Sequence, residues 1–284
     1  MKETTISVLP PVARHAQSGL AASLRRIGGM VRRHWYVIRS SGPRTLELVF
    51  WPLVSMLTWG FLQTHLAATT SLPAKAAGLL IGGVLLWDIL VRSQLGFSIA
   101  FLEDVWSRNL GHLLMSPLRP IELVAALVFV SLIKLTVAMV PVIFIAHVMF
   151  GFNLLSLGLA FIVFFANLTI MSWALGLFSI GCVLRWGMGA ESIAWLVVFL
   201  LLPISCVYYP VATLPPILQA VALCLPSTYV FEGLRALVLE QTFRGDLMLR
   251  AFALNGLWVA ACYGLFSYLL AEARTKGSLV QMGE

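Results

Sequence analysis

The chain has 284 residues, 60% of them hydrophobic and only 11% charged, with a formal net charge of +7 and a mean hydropathy of +0.93. So few charges exclude a soluble domain of this length, because its surface could not be covered. The positive excess gathers ahead of the first long apolar run. There it orients a membrane protein and meets anionic lipid, so nucleic acid is not an expected partner.

Residues 1–19 are polar, carry Pro10 and Pro11, and lack an apolar core, so a cleaved signal peptide is not expected. From Leu20 to Arg39 the apolar positions Leu20, Leu24, Ile27, Val31, Trp35 and Ile38 recur at spacings of three and four. Arg25, Arg26, Arg32, Arg33 and Arg39 fill the other faces. This pattern predicts a basic amphipathic helix lying in the membrane interface, with Gly28 and Gly29 as a weak point. Residues 1–44 therefore form an N-terminal segment, and residues 45–284 a single transmembrane domain.

Hydropathy predicts about six spans, near 45–66, 76–100, 121–147, 155–184, 189–209 and 250–271. No alternating strand pattern is present and backbone groups in lipid must be paired internally, so the fold class is all-α and polytopic. Lys2, Arg14, Arg25, Arg26, Arg32, Arg33, Arg39 and Arg44 precede the first span. Arg108, Arg119 and Arg185 lie in the second and fourth connections, and Arg274 and Lys276 in the tail. The opposite side holds only Lys75, Arg235, Arg244 and Arg250. This asymmetry puts both termini in the cytoplasm.

Between the second and third spans lies FLEDVWSRNLGHLLMSP, residues 101–117. Leu102, Val105, Trp106, Leu110, Leu113 and Leu114 form one face, and Glu103, Asp104, Ser107, Arg108, Gly111 and His112 the other. The spacing predicts a short amphipathic helix, with an Asp104–Arg108 pair along its polar face and Pro117 and Pro120 as its stop. Two readings follow, a solvated loop helix or a docking surface for a soluble partner. The rest of the chain favours the second.

After the fifth span, Tyr208-Tyr209-Pro210 leads to Leu214-Pro215-Pro216 and a short apolar stretch ending at Pro226. Ser227 to Gln241 then reads as a second short helix carrying Glu232 and Arg235. The first piece is too short to cross, so residues 210–241 are predicted as a re-entrant hairpin on the outer side, against the alternative of an ordinary apolar loop.

No catalytic constellation emerges. His15, His34, His65, His112 and His147 are scattered, Cys182, Cys206, Cys224 and Cys262 are isolated, and neither a GxSxG elbow nor a GxxxxGK[ST] phosphate loop is present. The chain is accordingly expected to be no enzyme by itself, with no metal or cofactor of its own. Ionisable residues inside the spans are the remaining signals, since each is costly in hydrocarbon. Asp88 and Arg92 stand four apart and can neutralise each other. Glu47 and Glu191 lie near span ends, within reach of water. Lys134 has no partner one turn away in its own helix, so it is expected to meet Asp88 or Glu47 from a neighbouring span, or an anionic substrate group. Gly78-x-x-x-Gly82 with Gly83 is a weak signal for close helix packing.

Three features in chain order resemble the permease subunits of ABC-2 type exporters. They are the basic helix before the first span, the stretch closing in Ser116-Pro117-Leu118, and Tyr209-Pro210-Val211, Leu214-Pro215, Leu225-Pro226 and Thr228-Tyr229 through Glu232-Gly233-Leu234-Arg235. The resemblance spans about residues 20 to 271. Where the family often shows Gly-Thr-Leu-Glu, this chain has Leu110-Gly111-His112-Leu113-Leu114, so that match is partial. The resemblance implies a dimer of membrane domains, either two copies or a copy with a related permease, in the bacterial inner membrane. It also implies two separate ATPase subunits that carry ATP and Mg and push on the 101–117 helix. An amphiphile, such as a drug, a lipid or a lipid-linked glycan, suits the aromatic and apolar faces of the spans. The rival reading is a membrane anchor or assembly factor that docks a cytoplasmic partner without transporting.

Overall fold

The computed structural model describes residues 19–69, 74–109 and 118–276, and within these it is helical with no strand. Helix α1 is Leu20–Ser40, α2 Gly42–Thr69, α3 Ala74–Trp106, α4 Pro120–Phe150 and α5 Leu159–Trp186. The short α6, Ile193–Ile204, is followed by α7 (Pro216–Ala222), α8 (Pro226–Arg235, continued by a wide turn through Glu240) and α9 (Gly245–Lys276). Among the described residues, five helices are long and apolar enough to cross a bilayer, α2, α3, α4, α5 and α9. A sixth crossing arises only if the bent pair α7–α8 counts as one.

The boundaries follow local chemistry. Pro120 opens α4, where its missing N–H costs nothing, and the Glu122 carboxylate accepts from the Arg119 N–H at 3.0 Å. Gly151, at φ +66°, closes α4 by donating to the His147 carbonyl. Helix α3 is the axis of the molecule: 78% of its most apolar window is buried, against 17% for α2 and 28% for α9. It packs on α2, α4 and α5, and α5 packs in turn on α9. At the α3–α5 contact, a Cβ added at Gly176 would lie 2.6 Å from the Phe97 ring, so only glycine permits that approach. The GxxxG signal plays a different part: Gly82 faces Phe152 and Gly83 the Val207 carbonyl, neither a second spanning helix.

Two expectations are corrected. The fifth apolar run does not form one regular span over 189–209. Its helix covers only Ile193–Ile204, about 18 Å of rise against a hydrocarbon core of about 30 Å. Pro203 and the turn at Ser205–Cys206, where Cys206 adopts φ +54°, end it early. Nor do residues 101–106 start a separate helix. They are the last turns of α3, which runs unbroken through Trp106 before turning at Ser107 and at Arg108, with φ +55°. Residues 110–117, His112 among them, lie outside the described residues.

Candidate functional site

Two polar assemblies occupy the two ends of α3. Gly83, beside Val207, and Glu103 are 20 residues apart (103 − 83), about 30 Å along a straight helix, which is the thickness of a hydrocarbon core.

At the C-terminal end, α1 and α4 are fastened to α3 by charge. The Arg26 guanidinium donates from Nε to Glu122 Oε2 at 2.9 Å and from Nη2 to Oε1 at 2.6 Å, and Ser23 Oγ donates to the same carboxylate at 2.6 Å. These bonds raise the Arg26 pKa, with the Glu122 hydrogen bond as the largest cause. Arg33 pairs with Asp104, which is 1% exposed. Burial lowers the Arg33 pKa, while the charge of Glu103 acts in the opposite direction. The His34 ring is buried, with Nδ1 at 3.1 Å from the Met30 carbonyl and Nε2 at 3.1 Å from the Ala100 carbonyl. Lys134 Nζ donates to Glu103 Oε1 at 3.1 Å. Trp106 Nε1 donates to Glu191 at 2.9 Å, tying the end of α3 to the segment before α6.

This geometry changes the reading of the predicted docking face. Glu103 and Asp104 turn toward the protein and are neutralised by Lys134 and Arg33. The expected Asp104–Arg108 pair does not form, since the left-handed turn at Arg108 carries it away from the helix. Trp106, Ser107 and Arg108 are exposed. Lys134 finds neither Asp88 nor Glu47. Asp88 and Arg92 make no contact within ion-pair distance, and Asp88 Oδ2 and Arg92 Nε are buried without a hydrogen-bond partner among the described residues.

A cavity of about 220 Å³ opens beside this cluster, between α1, α2, α3, α4 and α6. Arg44, Glu47, Arg92, Glu103 and Lys134 supply its charges, and Trp51, Trp106 and Trp195 its aromatic wall. Sequence reasoning found Arg92, Glu103 and Lys134 but not their common cavity. It also missed the roles of Ser23, Arg26, Arg33 and Glu122. The one available signal was Glu122, an acid in the first turn of a span preceded by a strongly basic helix.

At the other end, Val211 N donates to Glu232 Oε1 at 2.8 Å, and Arg235 pairs with that oxygen at 2.9 Å. Arg235 Nη2 also donates to the carbonyls of Cys206 and Tyr209, each at 2.9 Å. The Tyr209 hydroxyl donates to the Pro203 carbonyl. Pro210 caps the start of the turn Val211–Thr213 and Leu214 its end, Pro215 caps the start of α7, and Pro226 opens α8 after a 98° bend from α7. Glu232 and Arg235 therefore gather the carbonyls and N–H that the turn leaves unpaired. Among the described residues no three His, Cys, Asp or Glu side chains converge to hold a metal.

A family description for the ABC-2 type transporter matches residues 30–239. The chain belongs to the ABC-2 type transporter family. The match runs from within the basic helix α1 through the bent pair α7–α8, so both polar assemblies fall almost wholly within it. Comparison with curated proteins finds no match. As an ABC-2 membrane domain the chain is a multi-pass permease component, of a family that generally works with ATPase partners.

Proposed function

We propose that this permease exports an amphiphile across the bacterial inner membrane, as a dimer driven by two separate ATPase subunits that bind ATP and Mg. Both termini and the end of α3 face the cytoplasm, and the ATPase docks on the 101–117 segment. The observation that supports this reading is the ionic fastening of α1 and α4 to the end of α3. A push on residues following Trp106 is then carried into three helices at once.

Because Glu103 and Asp104 are engaged inside the protein, the exposed contacts this segment offers a partner, among the described residues, are Trp106, Ser107 and Arg108. The test is co-purification of ATPase activity with the tagged chain from native membranes. Ser107→Asp with Arg108→Glu should reduce the co-purifying activity while membrane insertion and thermal stability hold. Undiminished activity would remove the docking assignment. Co-purification without substrate-stimulated hydrolysis would favour the anchor reading instead.

A further inference from the structure

We infer that the cavity between α1, α2, α3, α4 and α6 is a binding site for the anionic phosphate head group of an amphiphile, with Arg92 at its floor. This deepens the permease reading and rests on it for the notion of a transported amphiphile, but binding is separately measurable.

The charges decide the sign of the ligand. Lys134 and Glu103 neutralise each other across 3.1 Å. That leaves Arg44, Arg92 and Glu47 lining the cavity with no ion pair within 4 Å among the described residues, so the lining itself carries one more cation than anion, while Asp88 acts on Arg92 from one turn away, outside the lining. Arg92 Nε is buried with no acceptor, a costly condition that a phosphate oxygen relieves with a charge-assisted bond.

Position and shape decide the class. Arg92 lies 11 residues before Glu103 (103 − 92), about 16 Å deeper along α3, so the cavity reaches from the level of the interfacial helix into the spans. At about 220 Å³ it is sized for a head group rather than a whole lipid. Trp51 and Trp195 line it yet remain 55% and 41% exposed, which leaves an apolar, lipid-facing exit for a chain. A free inorganic phosphate would use the cations but leave that aromatic wall without purpose.

Tryptophan fluorescence of the protein in phosphatidylcholine vesicles provides the test. Phosphatidylglycerol with brominated chains should quench saturably beyond the same fraction of brominated phosphatidylcholine, and unbrominated phosphatidylglycerol should reverse the excess. Trp195→Phe should remove part of the excess. Arg92→Gln should weaken the excess quenching roughly tenfold in apparent affinity. Since Arg92→Gln can also unfold the span, Glu47→Gln is the second variant. It removes a competing carboxylate and should strengthen binding several-fold. Equal quenching by the two lipids, or an unchanged affinity in Glu47→Gln, overturns the site. Displacement by inorganic phosphate overturns its assignment to an amphiphile. None of these readouts needs ATP, so a failed permease reading and a failed site remain distinct.

Discussion

Lys134→Met isolates the ion pair that joins α4 to the end of α3. Lys134 is 4% exposed and its ammonium donates to Glu103 Oε1 at 3.1 Å, while Glu103 Oε2 is already buried without a hydrogen-bond partner. Methionine keeps the length of the side chain and removes the charge, so neither carboxylate oxygen retains a donor. Breaking a buried pair from one side costs about 3–5 kcal/mol. The Glu103 side chain keeps 19% exposure, so some solvent screening survives and the lower end, about 3 kcal/mol, is expected. Glu103→Gln should cost a similar amount, because it strands the more deeply buried ammonium. The double variant replaces both charges and should recover most of the loss, giving a coupling of about 2–3 kcal/mol. The assay is reversible unfolding in mixed micelles, followed by tryptophan fluorescence. Asp88→Asn should not rescue Lys134→Met, because Asp88 does not contact Lys134. Costs that add within about 0.5 kcal/mol would refute the pair as a structural fastening. A stable Lys134→Met variant that has lost only export would assign the charge to the substrate instead.

Arg235→Gln should release the Cys206 and Tyr209 carbonyls and leave Glu232 without its ion pair, at a cost of about 2–3 kcal/mol. Faster limited proteolysis around residues 205–215 would report it, and unchanged protection would refute the anchoring role. Gly176→Ala should destabilise by about 1–3 kcal/mol through the clash with Phe97. Gly256→Ala, where nothing lies within 4 Å of an added Cβ, should be neutral or stabilising by up to about 1 kcal/mol. Thermal unfolding of the two variants separates them, and equal effects would refute the close α3–α5 contact. Single cysteines at Lys75 and Arg108, in a cysteine-free background, should label differently with an impermeant thiol reagent applied to intact cells; equal labelling overturns the proposed orientation.

The spans were legible because a bilayer imposes length and apolarity that a single chain displays openly. The break between α7 and α8 was legible for a similar reason, since Pro215, Pro216 and Pro226 interrupt a run too short to cross. What the chain did not display was the depth of each polar residue. Spacing alone made Asp104 and Arg108 partners, four apart on one helix. In three dimensions Arg33, 71 residues earlier (104 − 33), lies closer to Asp104, and a left-handed turn removes Arg108. Lys134 likewise found Glu103 rather than Asp88, because the depth of a residue on α4 relative to α3 depends on helix tilt and packing. The end of the fifth span was hidden for another reason. Ser205 and Cys206 are too weakly polar to interrupt a hydropathy average, yet the backbone turns there.

Under the proposed function, the continuity of α3 gains a mechanical meaning. Helices α2, α4 and α6 contain Pro52, Pro141 and Pro203, each removing one backbone hydrogen bond and offering a place to bend. Helix α3 carries no proline over 33 residues and is enclosed by its neighbours through most of its apolar window. A displacement applied beyond Trp106 therefore reaches Gly83 with little loss in bending. There it meets the turn after α6, whose carbonyls are held by Arg235. The α1 and α4 ion pairs keep the driven end of this rod in register, and the Arg235 contacts organise the end that responds. Loosening either end should uncouple hydrolysis from export while leaving the helices inserted, whereas a change on the side of α2 or α9 that is exposed in this chain should not.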